Sequence, residues 1–396
     1  MSDAILTLNA GSSSLKFCLF EDARPELVRL AEGEIEGLGI APHFVARVGG
    51  EVAAERRWPG GAALTHEALL GELLAWAEAH LGEDRLAAVG HRIVHGGAQY
   101  AAPVRLDAAM TAKLEAFVPL APLHQPHNLA AVYAVAKVRP ALPQVACFDT
   151  AFHRGHDPVV DRFGLPRAWE AAGVRRYGFH GLSYEFIAGR MRALDPVLAT
   201  GRMVIAHLGA GASLCAVRGG RSIDTTMGFT ALEGLIMGTR CGALDPGVIL
   251  HLQQAHGLTV SAVEDLLYRH SGLLGVSGIS SDMRELLASP DSRAGEAIDL
   301  FVFRVVREIG ALAASMGGLD GLVFTAGIGA RSPEIRRRVC ARLDWLGAAL
   351  DPAANDAGDG RVSARESRLA IWAIPTDEEL VIARHTLAVV GEGQDV

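Results

Sequence analysis

Residues 5–20, ILTLNAGSSSLKFCLF, consist of two apolar runs joined by a turn of small residues. This pattern favours a strand–turn–strand unit, with Ile5–Asn9 and Leu15–Phe20 as the strands. A similar pattern recurs farther along the chain, where HLGAGASL (207–214) aligns without gaps on LNAGSSSL (8–15). A duplication and two unrelated glycine-rich turns would each explain this similarity. The duplication predicts two similar domains with a cleft between their turns.

The remaining chain alternates between short apolar runs and segments with helical periodicity. The runs end in or beside small or polar residues, which is typical of strands that open onto the edge of an α/β sheet. The expected strands are 87–90, 144–148, 203–208 and 321–325, and the expected helices are 64–81 and 295–316. The sequence therefore predicts a mixed α/β protein.

Length and composition exclude several classes of protein. A chain of 396 residues is long enough for two or three domains, at roughly 150 residues each. Half of the residues are hydrophobic, the net charge is −8, and no basic block appears, so we expect no nucleic-acid partner. The five cysteines are widely spaced, which argues against a disulfide framework or structural zinc. With no basic leader and no apolar stretch of membrane-spanning length, we expect a cytoplasmic protein with no membrane partner.

Two glycine-rich segments could bind phosphate. In NAGSSSLK (9–16), backbone N–H groups and serine hydroxyls suit phosphate oxygens, although the Gly-x4-Gly-Lys spacing of a Walker A loop is absent. A solvated hairpin turn explains this segment equally well. In FTAGIG (324–329), a strand runs into a Gly-x-Gly turn, and Ser332 and Pro333 then mark the start of a helix. A single Gly-x-Gly is weak evidence for a nucleotide site.

Two arginines lie in glycine-rich surroundings. Arg92 stands in GHRIVHGG (90–97) and Arg240 in GTRCG (238–242). An isolated arginine is more often a surface ion pair than a ligand-binding group. Two such arginines together favour a pair that stabilises charge on a transferring phosphoryl group.

Three further segments carry acids or a histidine. Asp149 follows the apolar run 145–148, where it could position magnesium or cap a helix. The acids of PTDEE (375–379) could bind metal or only begin a helix. His180 in RRYGFHG (175–181) could donate to an anion or be an ordinary core histidine. Together with the arginines, these groups suit magnesium-assisted phosphoryl transfer.

The combined motifs resemble those of the acetate kinase family in order and spacing, over essentially the whole chain. They are NAGSSSLK (9–16), GHRIVHGG (90–97), FDTAFH (148–153), RRYGFHG (175–181), MGFTALEGLIMGTR (227–240), SGISSDMR (277–284), FTAGIG (324–329) and PTDEEL (375–380). The resemblance implies two duplicated ribonuclease-H-like α/β domains with an active-site cleft between them. The implied domains are 1–149 plus about 380–396, and 150–379, which would hold the nucleotide.

The resemblance also implies the reaction. It implies reversible, direct in-line phosphoryl transfer from ATP to acetate, which gives ADP and acetyl phosphate. Mg2+ or Mn2+ would be the metal, and a homodimer the assembly.

The resemblance assigns roles to residues of this chain. Implied catalytic residues are Arg92, His124, Asp149, His180 and Arg240. Implied acetate-pocket residues are Arg92, Val94, Leu123, Phe179 and Ala231, and implied metal-site residues are Asn9 and Glu378, with Asp149 helping to organise the ion. Ser12 and Ser14 would form a phosphate loop, and the nucleotide would lie near Lys16, His207, Leu208, Gly209, Ala210, Gly211, Asp282, Met283, Arg284, Gly327, Ile328, Gly329, Ala330 and Arg331.

The chain departs from the family pattern at four positions. Ala210 and Arg331 stand where asparagine is usual near the nucleotide, Ala231 replaces a proline of the acetate pocket, and Ala243 replaces an aspartate. Because the arginine, histidine and acid residues persist, these departures bear on affinity and specificity more than on reaction type. A propionate or butyrate kinase is an alternative within the class, and a degenerate nucleotide-binding sensor is an alternative outside it.

Overall fold

A computed structural model of the chain describes residues 2–58 and 64–391. The chain divides into two compact units, Met1–Ala151 with Asp377–Val396, and Phe152–Thr376. The family resemblance implies a second domain of 150–379. The structure instead assigns Glu378 to the first unit, because the helix that it begins contacts the first sheet.

The described residues form fourteen strands, sixteen α-helices and three short 3-10 helices, which are Val118–Leu120, Ala151–His153 and Asp344–Leu346. The strands are β1 Asp3–Ala10, β2 Ser14–Ala23, β3 Glu26–Glu36, β4 His43–Val48, β5 Glu51–Arg57, β6 Arg85–Ile93, β7 Val104–Leu106, β8 Gln144–Phe148, β9 Arg202–Leu208, β10 Ala212–Arg218, β11 Arg221–Thr225, β12 Gly321–Thr325, β13 Gly360–Arg361 and β14 Ala370–Ala373. The helices are α1 His66–Leu81, α2 Ala108–Glu115, α3 Gln125–Val138, α4 Pro158–Asp161, α5 Arg167–Ala171, α6 Gly181–Leu194, α7 Pro196–Thr200, α8 Pro246–Gln254, α9 Val260–Arg269, α10 Gly272–Ser277, α11 Met283–Ala288, α12 Ser292–Met316, α13 Ala326–Arg331, α14 Pro333–Ala341, α15 Pro352–Ala357 and α16 Glu378–Gly391.

The first unit is built on one sheet covered on both faces. Its strand order is β5-β4-β3-β2-β1-β6-β8-β7, in which β1, β6 and β8 are parallel. Successive residues of a strand point to opposite faces. On β1, Leu6 and Leu8 join a core with Leu73 of α1 and Val135 of α3, whereas Ile5 belongs to a second core with Ala383 of α16.

The second unit repeats this topology. Its strand order is β11-β10-β9-β12-β14-β13. In each unit an antiparallel three-stranded meander is followed by two strands parallel to the first, so β9, β10, β11, β12 and β14 correspond to β1, β2, β3, β6 and β8. The helix α12 contacts β9, β10 and β11 of this sheet. The mixed α/β prediction with duplicated domains is confirmed.

The two similar turns of the sequence are both β-hairpins, but they differ in register. In the first, Ala10 pairs with Leu15, which leaves four residues in the turn. In the second, Leu208 pairs with Ala212, which leaves three. The ungapped sequence alignment therefore does not superpose equivalent strand positions.

The long helices follow the predicted periodicity. The predicted helix 64–81 corresponds to α1, which begins two residues later at His66 and is capped by Thr65, whose side chain accepts from Ala68 N. The predicted helix 295–316 lies within α12, which Asp291 caps and Gly317 ends. No disulfide joins the five cysteines, all of which lie in the described part of the chain. Within residues 2–58 and 64–391, no helix is both long and apolar enough to cross a membrane.

Candidate active site

The first cluster of predicted residues lies where three neighbouring strands of the first sheet end. Because β1, β6 and β8 are parallel, their carboxyl ends meet at one edge and bring Asn9, Arg92 and Asp149 together. Arg92 donates to both carboxylate oxygens of Asp149, with Nε–Oδ1 at 3.2 Å and Nη2–Oδ2 at 2.5 Å. Its Nη1 donates to Asn9 Oδ1 at 3.1 Å. The hydrogen bonds of the Asp149 carboxylate therefore hold an arginine and do not cap a helix.

The acid cluster 377–379 divides between a structural role and the candidate site. Asp377 Oδ1 accepts from Leu380 N at 3.0 Å and so caps the first turn of α16. Glu378 Oε2 lies 3.8 Å from Arg92 Nε. Burial raises the pKa of Glu378 to about 7, and the negative charges of Asp149 and Glu379 add to the rise while Arg92 opposes it.

The small-residue turn of the first hairpin adjoins this edge of the sheet. Gly11 N donates to Ser14 O at 2.8 Å and closes the turn. Ser12 and Lys16 are exposed, and Asn9 pairs with Lys16 across the hairpin. The turn therefore presents a hydroxyl and an ammonium group beside the Arg92 cluster.

Two side chains that the sequence analysis did not single out hold the Arg92 segment in place. Asn128 accepts from Val94 N at 2.9 Å and donates to Ala10 O at 2.6 Å, which ties the end of β1 to the segment after β6. Gln125 accepts from His95 N and donates to His95 O, each at 3.1 Å. Both residues are buried on one face of α3, three positions apart. That spacing in QPHN is the signal that could have revealed them.

The predicted acyl-pocket residues fall in both units. Val94 is buried and Leu123 is half-buried in the first unit, and His124 immediately precedes α3 there. Phe179 is buried and Ala231 is half-buried in the second unit.

In the second unit, His180 lies immediately before α6 with a left-handed backbone, at φ 58° and ψ 24°. Its Nδ1 lies 2.8 Å from Ser213 Oγ, and its ring stacks on that of His207 with centroids 4.1 Å apart. His207 Nδ1 in turn lies 2.8 Å from Ser183 Oγ. Serine hydroxyls therefore orient both histidines.

Gly211 marks the point on which His180 and Arg240 converge. A Cβ placed on Gly211 would lie 3.3 Å from His180 Nε2 and 4.0 Å from Arg240 Nη1. The same Nη1 donates to Ala231 O at 3.0 Å. Gly209 N donates to Gly211 O at 3.0 Å and closes the turn. Two donor side chains thus lie beside a turn of small residues, an arrangement that suits a phosphate group.

The segment expected to hold adenosine is partly linked to this turn. Gly238 N donates to Ala210 O at 3.1 Å, and a Cβ on Gly238 would lie 3.3 Å from Ser281 O. Asp282 caps α11 and pairs with Arg284, which is exposed, while Met283 is buried.

The Gly-x-Gly segment forms a helix of its own. Ser332 caps the helix that follows this segment, α14, as the sequence predicts. The structure adds α13, which contains Gly327, Ile328, Gly329, Ala330 and Arg331 and follows β12 directly. The helix contacts β9 and β12, and Arg331 is exposed.

The repeated sheet topology places the protein in the class of two-domain α/β proteins with an actin-like fold. The sequence profile of the Acetokinase family matches residues 4–384. The chain belongs to the acetokinase family.

Individual relatives agree with this assignment. An acetate kinase of Rhodopseudomonas palustris (strain ATCC BAA-98 / CGA009) is 56% identical over 100% of both chains. The crystal structure of Porphyromonas gingivalis acetate kinase superposes with a TM-score of 0.88 at 36% identity, covering 98% of this chain and 100% of that one. A propionate kinase from Francisella tularensis subsp. tularensis SCHU S4 also gives 0.88, at 32% identity, covering 97% and 98%.

Proposed function

We propose that the protein transfers the γ-phosphoryl group of ATP to acetate, giving ADP and acetyl phosphate, and catalyses the reverse reaction. The observation that carries the proposal is the convergence of Arg240 and His180 on Gly211. Membership of the acetokinase family supports acetate and ATP as the substrates.

In the second unit, the proposed roles concern nucleotide and phosphoryl binding. Arg240 would neutralise charge on the equatorial oxygens of the transferring group, and His180 would donate a hydrogen bond to that group. His207 at the end of β9 and the turn residues Gly209 and Gly211 would lie along the phosphates. The hydrogen bond from Arg240 Nη1 to Ala231 O supports this role, because it orients the guanidinium before substrate arrives.

In the first unit, the proposed roles concern the carboxylate substrate and the metal. Arg92 would bind the acetate carboxylate and the phosphoryl group that is transferred. Asp149 supports this role, because its two hydrogen bonds with Arg92 fix the plane of the guanidinium. Val94, Leu123 and the second unit's Phe179 and Ala231 would contact the methyl group. His124 would support the site, and Ser12, Ser14 and Lys16 would contact phosphate.

The residues around Arg92 fit a magnesium or manganese ion. Asn9, Asp149 and Glu378 offer oxygen donors, which Mg2+ prefers, and Mg2+ commonly takes one or two carboxylates together with substrate phosphates. The raised pKa of Glu378 fits a position where a nearby cation would favour the carboxylate. When bound, the ion would neutralise charge on the phosphates.

We propose that the phosphoryl group passes directly to acetate in one step. The acetate carboxylate oxygen forms the new P–O bond as the bond to the β-phosphate oxygen of ATP breaks. A single displacement inverts configuration at phosphorus, so ATP made chiral at the γ-phosphorus would yield acetyl phosphate of inverted configuration. Retention would indicate a phosphorylated enzyme and would contradict direct transfer.

Propionate is the second candidate acceptor. Ala231 in place of proline supports it, because a smaller residue would leave room for one more methylene group. One methylene in an apolar pocket is worth only about 1–3 kcal/mol, so acetate and propionate would both react.

We also propose a homodimer that works in the cytoplasm. The helix α8 supports the dimer, because none of its residues is buried and Val248 and Leu250 are exposed. The use of ATP and the absence of disulfides among the five cysteines support the location.

Phosphorus NMR tests the proposed function. With ATP, Mg2+ and acetate, we expect the γ-phosphate signal to be replaced by those of acetyl phosphate and ADP, and the reverse reaction to regenerate ATP. Binding of ATP without either conversion would contradict the kinase and favour a nucleotide sensor, with Ala210 and Arg331 as the first positions to examine.

A further inference from the structure

His180 has an unusual backbone conformation for a residue with a side chain. Its φ of 58° lies in the left-handed region, which non-glycine residues rarely adopt. Such a conformation persists when the surrounding contacts fix it, and it is frequent at functional sites. The contacts that fix His180 are therefore part of the machinery of the site.

The ring of His180 and the peptide that follows it are both held. Ser213 Oγ lies 2.8 Å from Nδ1, and Tyr184 OH lies 2.5 Å from the same hydroxyl. Tyr184 N donates to His180 O at 3.1 Å, which is the first hydrogen bond of α6.

The peptide that precedes His180 is held by His153, a fully buried histidine. His153 Nε2 lies 3.0 Å from the carbonyl oxygen of Phe179. That carbonyl shares a rigid peptide plane with His180 N, so its orientation constrains φ of His180. The ring also packs directly on the backbone at Gly178, where a Cβ would lie 2.5 Å from His153 Cδ2.

The direction of this hydrogen bond fixes the proton on His153. A carbonyl oxygen only accepts, so Nε2 carries the proton. Burial lowers the pKa of His153 to about 3, and the nearby His156 and Arg154 add to the fall, so the ring is neutral and its Nδ1 must accept. The donor to Nδ1 is Ser222 Oγ, 2.8 Å away.

The chain of hydrogen bonds continues to an ion pair. Ser222 Oγ also lies 2.7 Å from His156 Nε2. His156 Nδ1 lies 2.9 Å from Asp161 Oδ1, and Arg175 pairs with the second oxygen of Asp161. These contacts connect the ring of His153 through Ser222 and His156 to the ion pair of Asp161 and Arg175.

We propose that His153, oriented by Ser222, His156 and Asp161, is a positioning residue that holds His180 in the conformation needed for phosphoryl transfer. It acts through the Phe179 carbonyl and not on the substrate. The inference rests on the proposed function, in which His180 contacts the transferring group.

Four variants test the proposal by steady-state kinetics. H153L removes the donor to Phe179 O, and we expect kcat to fall by roughly 10- to 100-fold, because small displacements of catalytic groups have effects of that size. KM for ATP and for acetate should stay within about twofold, since His180 acts mainly in the transition state. H153Q retains an N–H donor and should recover most of kcat. S222A should lower kcat less than H153L does. T111A is the control for S222A, because Thr111 and Ser222 are equally buried, at 4% exposed each, and it should leave kcat unchanged.

A second measurement does not depend on turnover. With 15N-labelled histidine, the imidazole signals of His180 should shift or broaden in H153L and S222A and remain in place in T111A. Unchanged His180 signals together with unchanged kcat would overturn the proposal, as would equal losses in T111A. If H153L does not fold, kcat and the His180 imidazole signals of S222A test the proposal in its place. Absence of acyl phosphate in the wild type would overturn the proposed function, while the NMR comparison would still decide whether His153 positions His180.

Discussion

Arg92 and Asp149 form a two-point ion pair at the carboxyl edge of the first sheet. Nε and Nη2 of Arg92 lie 3.2 and 2.5 Å from the two oxygens of Asp149, whose side chain is 1% exposed. Two parallel hydrogen bonds fix the plane of the guanidinium as well as its position. A third bond, to Asn9, connects the pair to the first hairpin.

The Arg92–Asp149 pair predicts a large effect on stability. R92A leaves the Asp149 carboxylate buried without its partner, so we expect the free energy of unfolding to fall by about 3 kcal/mol. R85A removes an exposed pair with Asp3 and should change it by less than about 0.5 kcal/mol. Urea unfolding of both variants measures the difference. Equal small losses would show that the carboxylate is well solvated or finds another partner.

Arg240 should affect turnover more than binding. Its charge is needed most when charge on the phosphoryl group is greatest, so R240A should lower kcat by about 10³-fold with little change in KM for ATP. R269A, which removes an exposed arginine paired with Asp265, is the matched control. Steady-state kinetics of both variants measures the effect. A change in KM alone would mean that Arg240 binds the ground state.

Two buried histidines predict loss of stability in acid. Burial lowers the pKa of His91 from 6.5 to about 4 and that of His153 from 6.5 to about 3. The unfolded chain therefore binds protons that the folded chain excludes. The free energy of unfolding should decrease as pH falls below 6.5, by about 1.4 kcal/mol per pH unit for each histidine until its folded pKa is reached.

The variant H91Q isolates one of these contributions. Glu378 acts in the opposite sense, because its raised pKa gives stability that is lost as pH rises from 4.5 to about 7. Glu378 contributes equally to the wild type and to H91Q, so its contribution cancels when their free energies of unfolding in urea are compared between pH 7.5 and 5. For groups that do not interact, the cancellation holds to within about 0.5 kcal/mol. We expect the stability of H91Q to depend less on pH. Parallel curves would show that the pKa of His91 is the same in the folded and the unfolded chain.

Ala231 predicts the breadth of acyl acceptance. A231V fills space at the proposed pocket, so the kcat/KM ratio of propionate to acetate should fall by about 10-fold, within the range for one methylene. A231P should lower the same ratio. If A231P also lowers kcat/KM for acetate, the backbone carbonyl of residue 231, to which Arg240 donates, has moved. Competition between the two acids measures the ratio. An unchanged ratio in both variants would place the substrate away from Ala231.

The features predicted from the sequence are those encoded locally. The first hairpin and the helices α1 and α12 follow from apolar spacing, small-residue turns and caps. The choice between alternatives for Asp149 and Asp377 needed the structure, because both are acids at element boundaries and only the contacts distinguish an ion pair from a cap.

The features missed depend on contacts between distant segments. Strands β3, β4 and β5 carry many polar residues and lack a strong alternating pattern. Their structure depends on successive pairing, of β3 with β2, β4 with β3 and β5 with β4. Ser222 lies 69 residues from His153, and Glu378 lies far along the chain from Arg92. No local sequence pattern indicates that such distant residues are in contact.

Acyl phosphate formation, trapped with hydroxylamine, tests the central claim most directly. The assay would compare formate, acetate, propionate and butyrate with Mg-ATP, with and without a chelator. We expect acetate to give the highest kcat/KM, propionate to follow closely, and the chelator to abolish both. Formation of no acyl phosphate from any acid, with ATP still bound, would contradict the kinase.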